Sequence, residues 1–254
     1  MHAQEQKLES LLKSYGSLAI AFSGGTDSTL LAKIASKVLK NKLLLVHVSS
    51  EFSTAEETQF VRKWSRENKI KLKVLKLSPL NVTEIKANDK LRCYYCKKLI
   101  MSFVIAETRK RGIEAVADGT NTDDFDDYRP GLKAAKELNV RHPLAEAAFD
   151  KKMIRRLARK YKLPNWNKPP SACLASRIPY GTPIELRKLE MVEKAERYLR
   201  SLGFEECRAR CLGDAAKIEV YPKNFRKLVF LKDDIIARFK KAGFSNVYLD
   251  LSGK

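Results

Sequence analysis

The sequence predicts an α/β fold, a parallel sheet with helices on both faces, followed by a small C-terminal α+β domain. Three observations carry this. Over residues 1–175, short apolar runs alternate with segments of helical period. That alternation calls for crossover helices, which cover both faces of a parallel sheet. A stretch rich in Pro, Ser and Gly, residues 164–183, then breaks the pattern. Beyond it, short strands sit among helices. The domains are read as 1–175 and 176–254.

Strands are predicted at 18–22, 43–50, 72–77 and 115–119, where the apolar runs fall. Helices are predicted at 5–15, 29–39, 54–68, 97–111, 130–138 and 151–160. In such folds, ligands bind beyond the carboxyl ends of the strands. Residues 23–28, 49–53 and 118–121 fall at that edge. In the second domain, a helix at 184–202 places Ile184, Leu186, Leu189, Val192, Ala195 and Leu199 near one face. Strands at 206–212 and 217–221 turn at Gly213-Asp214, helices follow at 224–231 and 234–242, and a last strand lies at 246–251. The chain shows no internal repeat and no low-complexity segment.

With 254 residues and 44 % hydrophobic content, the chain can bury a core without disulfides. No apolar run approaches the ~20 residues of a membrane span. The polar start, MHAQEQKLES, has no apolar signal region, so a cytoplasmic protein is expected. Net charge is +20, from 50 Lys and Arg against 30 Asp and Glu. Such a field attracts phosphorylated small molecules or nucleic acid, although a lysine-rich bias without a special partner gives the same balance. The odd set Cys93, Cys96, Cys173, Cys207 and Cys211 points to metal or redox chemistry rather than a disulfide frame.

The most specific local signal is Ser23-Gly24-Gly25-Thr26-Asp27-Ser28, between a strand and a helix. Adjacent glycines let the backbone approach an anion. The following helix start offers unpaired N–H groups and a positive dipole end. Ser23, Thr26, Ser28 and Thr29 add hydroxyls. Asp27 has a task if Mg2+ bridges the phosphates of ATP. Neither the Walker pattern nor the three-glycine dinucleotide pattern fits, because the glycines are adjacent and Lys33 comes too late. Gly119, at the same sheet edge, completes the ATP set.

The six-residue string resembles the PP-loop of the ATP pyrophosphatases, which form adenylates and release pyrophosphate. Further strings narrow the resemblance: Asp118-Gly119-Thr120-Asn121, Asp126 to Gly131, Asn165-Trp166-Asn167-Lys168, Pro170 to Gly181 around Cys173, and Tyr198 to Phe204. Together they resemble LarE, a family of sulfur insertases in nickel-pincer nucleotide biosynthesis. The resemblance runs nearly end to end. It implies that ATP adenylates a carboxylate of pyridinium-3,5-biscarboxylic acid mononucleotide. A sulfur nucleophile then displaces AMP and leaves a thiocarboxylate. The chemistry is sound without the name: a carboxylate oxygen leaves poorly, AMP leaves well, and sulfide or thiolate attacks strongly near neutral pH.

The resemblance divides the family at the cysteines. Some members sacrifice the sulfur of one cysteine; others carry three cysteines and hold a [4Fe-4S] cluster. Cys93-Tyr94-Tyr95-Cys96, expected in a loop before the 97–111 helix, and Cys173 match the second group. A fourth iron would stay open for an extra sulfide. A sacrificial or persulfide Cys173 and a zinc or structural-thiol role remain alternatives; zinc lacks an obvious fourth ligand. Cys207 and Cys211 read as semi-buried structural thiols.

Arg208 and Arg210, two apart on a strand, share a face suited to phosphate. The resemblance links them, with Glu196, to the substrate phosphate. Arg177 is assigned to the adenylate or, alternatively, a loop salt bridge. One acid among Asp124, Asp126 and Asp127, near Arg129, is a candidate to position Mg2+ or ATP, the alternative being a solvated turn. Trp64 and Trp166 read as packing residues, His47 as a satisfied core residue, and His2, His47 and His142 as no ligand set. The expected partners are the pyridinium mononucleotide, ATP and sulfide or another sulfur donor, with no nucleic acid or membrane, in a homo-oligomer. The competing functions are a tRNA 2-thiolation enzyme, which lacks support from any RNA-binding module here, and a non-catalytic ATP sensor.

Overall fold

The computed structural model describes residues 2–126, 130–169 and 172–253. Asp127 and Arg129 of the acidic loop, and Pro170 and Ser171 of the Cys173 string, lie outside the described residues. The chain divides into two compact units. One is Met1–Pro79 with Leu91–Ser171; the other is Leu80–Lys90 with Ala172–Lys254.

The first unit runs α1 (His2–Ser14), β1 (Leu18–Ala21), α2 (Thr26–Leu39), β2 (Leu43–Ser49), α3 (Ala55–Glu67) and β3 (Lys71–Lys76). After Leu80–Lys90, which carries the single turn α4 (Thr83–Lys86), come α5 (Arg92–Arg109), β4 (Val116–Ala117), α6 (Pro130–Glu137), α7 (Pro143–Glu146) and α8 (Lys151–Lys160). The strands are parallel in the order β3-β2-β1-β4. Alternate side chains face opposite ways along a strand. Leu18, Ile20 and Phe22 therefore join Leu43 and Leu45 against α1, α2, α3 and α8. Ala19, Leu44, Val46 and Val116 meet Val104 of α5. Both faces are covered by helices, as the alternation in the sequence requires. Strand order reverses at β1 and β4, so the loops after them border one crevice, the usual ligand position in such sheets.

Several helix starts differ from the sequence reading by up to five residues, and two of the shifts bear on the candidate site. α2 begins at Thr26 rather than 29, because Gly25 takes the N-cap position. α5 begins at Arg92 rather than 97, so Cys93 and Cys96 sit on a helical first turn and not in a loop. α3 starts where expected, since Thr54 and Glu57 form a reciprocal capping box.

The second unit holds α9 (Leu186–Ser201), β5 (Arg208–Leu212), β6 (Ala215–Glu219), α10 (Phe225–Phe230), α11 (Lys232–Ala242) and β7 (Val247–Leu249). β5 and β6 are antiparallel around Gly213-Asp214, with Gly213 at φ 60°; β7 runs parallel to β6. α9 buries Leu189, Val192, Ala195 and Leu199, and packs with α11, which buries Ile235 and Phe239. Leu186, placed by the sequence near that buried face, is 50 % exposed at the helix start. The units do not part as a single cut after 175. Leu80–Lys90 belongs with the second because buried Asn88 donates through Nδ2 to the Pro179 and Thr182 carbonyls, both at 2.8 Å. Backbone bonds Gly181 N to Asn88 O and Ile184 N to Lys86 O fix the same contact. Among the described residues no helix is long and apolar enough to cross a membrane.

Candidate active site

The turn after β1 is built to leave donors unused. Gly25 caps α2 with no side-chain hydrogen bond, so the first amides of the helix have no intrahelical partner. The hydroxyls instead brace the turn. Thr29 Oγ1 donates to Gly25 O at 2.8 Å, and Ser28 Oγ to the same carbonyl at 3.1 Å. Ser23 Oγ lies 3.1 Å from Ser28 Oγ and accepts from Gly25 N. Gly24 has φ 77°, and a Cβ there would stand 3.0 Å from both Phe60 and Val61. Asn165, a residue the sequence quoted only inside a string, pins the turn from 141 residues away. Its Nδ2 donates to Gly24 O at 3.0 Å and Thr29 Oγ1 at 2.9 Å, while Thr26 Oγ1 donates to Asn165 O at 2.8 Å.

The loop after β4 lies directly on this turn. A Cβ on Gly119 would come within 2.8 Å of Ser28 N and 3.1 Å of Ser28 Cα. Only glycine allows that approach. Two residues on, Asn121 Nδ2 donates to Asp27 Oδ2 at 3.0 Å. Asn121 also caps the turn Thr122–Phe125, where Asp124 Oδ2 accepts from Asn121 N. Burial raises the pKa of Asp27, and the nearby Asp124 carboxylate raises it further. Two acids that repel each other beside bare helix amides fit a divalent cation such as Mg2+. Asp124, buried and held 3.5 Å from Lys151, is therefore no solvated turn; Asp126 is exposed.

Asp118 serves the scaffold. Its carboxylate accepts from Lys97 Nζ at 2.6 Å, from His142 Nδ1 at 2.8 Å and from Thr120 N at 3.1 Å. Burial alone would raise its pKa, yet Lys97 and His142 hold it well below the usual carboxylate range. His47 is satisfied by Phe22 O and Thr58 Oγ1 and its pKa is lowered by burial. Trp64 packs on Phe22; Trp166 lies under Arg159.

In the second unit the sequence assigns Arg177, Glu196, Arg208 and Arg210 to substrate. The structure sets Arg177 and Glu196 against each other. Arg177 Nε and Nη2 donate to the two Glu196 oxygens at 2.8 and 3.1 Å, and both residues are buried. Arg177 Nη1 also holds the carbonyls of Ala172 and Cys173, at 2.7 and 3.2 Å. Glu196 accepts from Ala209 N as well. This pair fixes the backbone of the Cys173 loop. Arg208 and Arg210 do share the open face of β5, with Ala209 and Cys211 buried opposite. Arg210 is tied to Glu219 and to Ser176 O. Arg208 makes no hydrogen bond or ion pair among the described residues, which leaves its guanidinium available.

Cys93 and Cys96 are half-buried, three apart on the first turn of α5, and Cys173 is exposed. Cys207 and Cys211 are buried, and burial raises the Cys211 pKa. Among the described residues no group of three or more His, Cys, Asp or Glu side chains is gathered to hold a metal ion.

Residues 1–94 match the model of the PP-loop domain. The chain is 38 % identical, over 97 % of its length and 90 % of the relative's, to the pyridinium-3,5-bisthiocarboxylic acid mononucleotide synthase of Lactiplantibacillus plantarum. The chain belongs to the LarE family. Similarity of the same order extends to an uncharacterized protein of Synechocystis sp., 37 % identical over 98 % of this chain and 95 % of the relative. It extends also to one of Methanocaldococcus jannaschii, 32 % identical over 92 % of this chain and 89 % of the relative. Membership in LarE makes this chain an ATP-using enzyme.

Proposed function

We propose that the protein is an ATP-dependent sulfur transferase of nickel-pincer cofactor biosynthesis. Its substrate is pyridinium-3,5-biscarboxylic acid mononucleotide, whose carboxylates become thiocarboxylates. The observation that carries the reading is the fit of Gly119 against Ser28 beside the uncapped start of α2, in a chain alike from end to end to a synthase of that name.

In this reading the α2 amides and the hydroxyls of Ser23, Thr26 and Ser28 hold the ATP phosphates. Asp27, steadied by Asn121, holds Mg2+ with Asp124. The substrate carboxylate attacks the α-phosphorus, the α–β bond breaks, and pyrophosphate leaves with the electron pair. Arg208, with Arg210, takes the substrate phosphate through charge-assisted hydrogen bonds. Arg177 and Glu196 act by fixing the loop on which Cys173 sits. Cys93 and Cys96, three apart near the start of α5, together with Cys173, would be the ligands that hold a [4Fe-4S] cluster. What that group supplies when bound is a sulfur able to displace AMP. A homo-oligomer in the cytoplasm is part of the same reading, as is a 176–254 region that binds substrate and assembles the oligomer.

The test is anaerobic incubation of the iron- and sulfide-reconstituted protein with ATP, Mg2+, sulfide and the biscarboxylic mononucleotide. AMP, pyrophosphate and a product with sulfur in place of a carboxylate oxygen are expected. Pyrophosphate release that ignores the mononucleotide but responds to tRNA would overturn the reading.

A further inference from the structure

We infer that Lys151 and Arg155 of α8 form a cationic clamp for the pyrophosphate half of ATP. The inference rests on the ATP reading of the glycine turn and assigns residues that no motif in the sequence marked. α8 packs on α2 through Ile154, Leu157 and Ala158. Its first turn is tied to the same loop that steadies Asp27. Thr122 N and Oγ1 both donate to Phe149 O, at 2.9 and 3.0 Å, and Lys151 N donates to Asp123 Oδ2 at 3.1 Å. Lys151 Nζ stands 3.5 Å from Asp124 Oδ1. Arg155 follows four residues later, so it shares a helix face with Lys151. Asp124 in turn accepts from Asn121 N, and Asn121 Nδ2 donates to Asp27, so the Lys151 face of α8 lies by the nucleotide end of α2.

Arg155 is exposed and makes no hydrogen bond or ion pair among the described residues. An exposed guanidinium on the Lys151 face of α8 is free to meet an anion held by the amides at the start of α2. When the α–β bond of ATP breaks, negative charge grows on the β-phosphate oxygens. Lys151 and Arg155 would receive that charge, while the adenosine and α-phosphate depend on other groups. Phosphate bound bidentately by Arg is a strong, directional interaction.

Calorimetric titration of the full chain with pyrophosphate plus Mg2+, and separately with AMP, tests this. Arg155→Met should weaken pyrophosphate about tenfold or more, the loss of one charge-assisted hydrogen bond, and leave AMP within about twofold. Lys151→Met should act in the same direction. Lys152→Met removes the same charge from the neighbouring exposed position and should change neither ligand. Wild-type pyrophosphate affinity in both Arg155→Met and Lys151→Met would overturn the clamp, as would an equal loss in Lys152→Met, which would reveal only a general positive field. A wild-type chain that binds neither AMP nor pyrophosphate would defeat the ATP reading itself, a result separable from failure of the clamp.

Discussion

Replacing Gly119 by alanine tests the site where its parts touch. The added Cβ would lie 2.8 Å from Ser28 N, 3.1 Å from Ser28 Cα and 3.3 Å from the Asp27 carbonyl carbon. All three are backbone atoms, so no side chain can swing aside. Relief requires the β4 loop or the start of α2 to move by about half an ångström or more. Gly119 does not have a left-handed φ, so alanine brings no backbone strain of its own and the clash acts alone. Overpacking of this kind costs about 1–3 kcal/mol. The larger effect is expected on function, because the clash falls on a helix-start amide that the proposed reading gives to phosphate. A misplacement near 1 Å can cost about a hundredfold in rate. The assay is ATP-dependent pyrophosphate release, with thermal unfolding measured alongside. Gly112→Ala is the control: its φ of 68° penalises alanine, but its Cβ meets nothing within 4 Å. It should lose about 1 kcal/mol of stability and keep its KM for ATP. If Gly119→Ala kept both kcat and KM, the close approach would have no part in binding ATP.

Asp27→Ala should abolish pyrophosphate release while the fold survives, because a repelling acid pair is relieved; release at the wild-type rate would remove Asp27 from the site. Lys97→Met leaves the buried Asp118 carboxylate with His142 and Thr120 N but without its ammonium partner, and about 3 kcal/mol of stability should go, read by urea unfolding. The Asp118 pKa lies below its unfolded value, so its contribution is full above about pH 4 and is lost as pH falls further; Asp118→Asn should flatten that acid limb. Cys93→Ala or Cys96→Ala should remove the brown chromophore from anaerobically reconstituted protein, and unchanged iron content would deny them a ligand role. Arg177→Met leaves the buried Glu196 carboxylate with only Arg200 at 3.6 Å and Ala209 N, which should cost about 3 kcal/mol and free the Cys173 backbone; wild-type stability would show the pair to be idle.

The sequence alone determined the layered α/β unit and the strand–glycine turn–helix that the PP-loop model matches. Both are written in neighbours along the chain: the alternation of apolar runs with helical periods, adjacent glycines, and a capping pair such as Thr54 and Glu57. Helix starts moved by about a turn where no side-chain cap marked them, as at Gly25 and Leu91. Tertiary structure decided what the polar groups do, because their partners lie far off in sequence. Asn165 reaches the glycine turn, Asn88 binds Leu80–Lys90 to the second unit, and Glu196 claims Arg177 from nineteen residues away. A charged side chain looks alike in sequence whether solvated, paired or waiting for an anion. Only packing, which sets its distance from other charges and from water, separates Arg177 from Arg208 and brings Lys151 to Asp124.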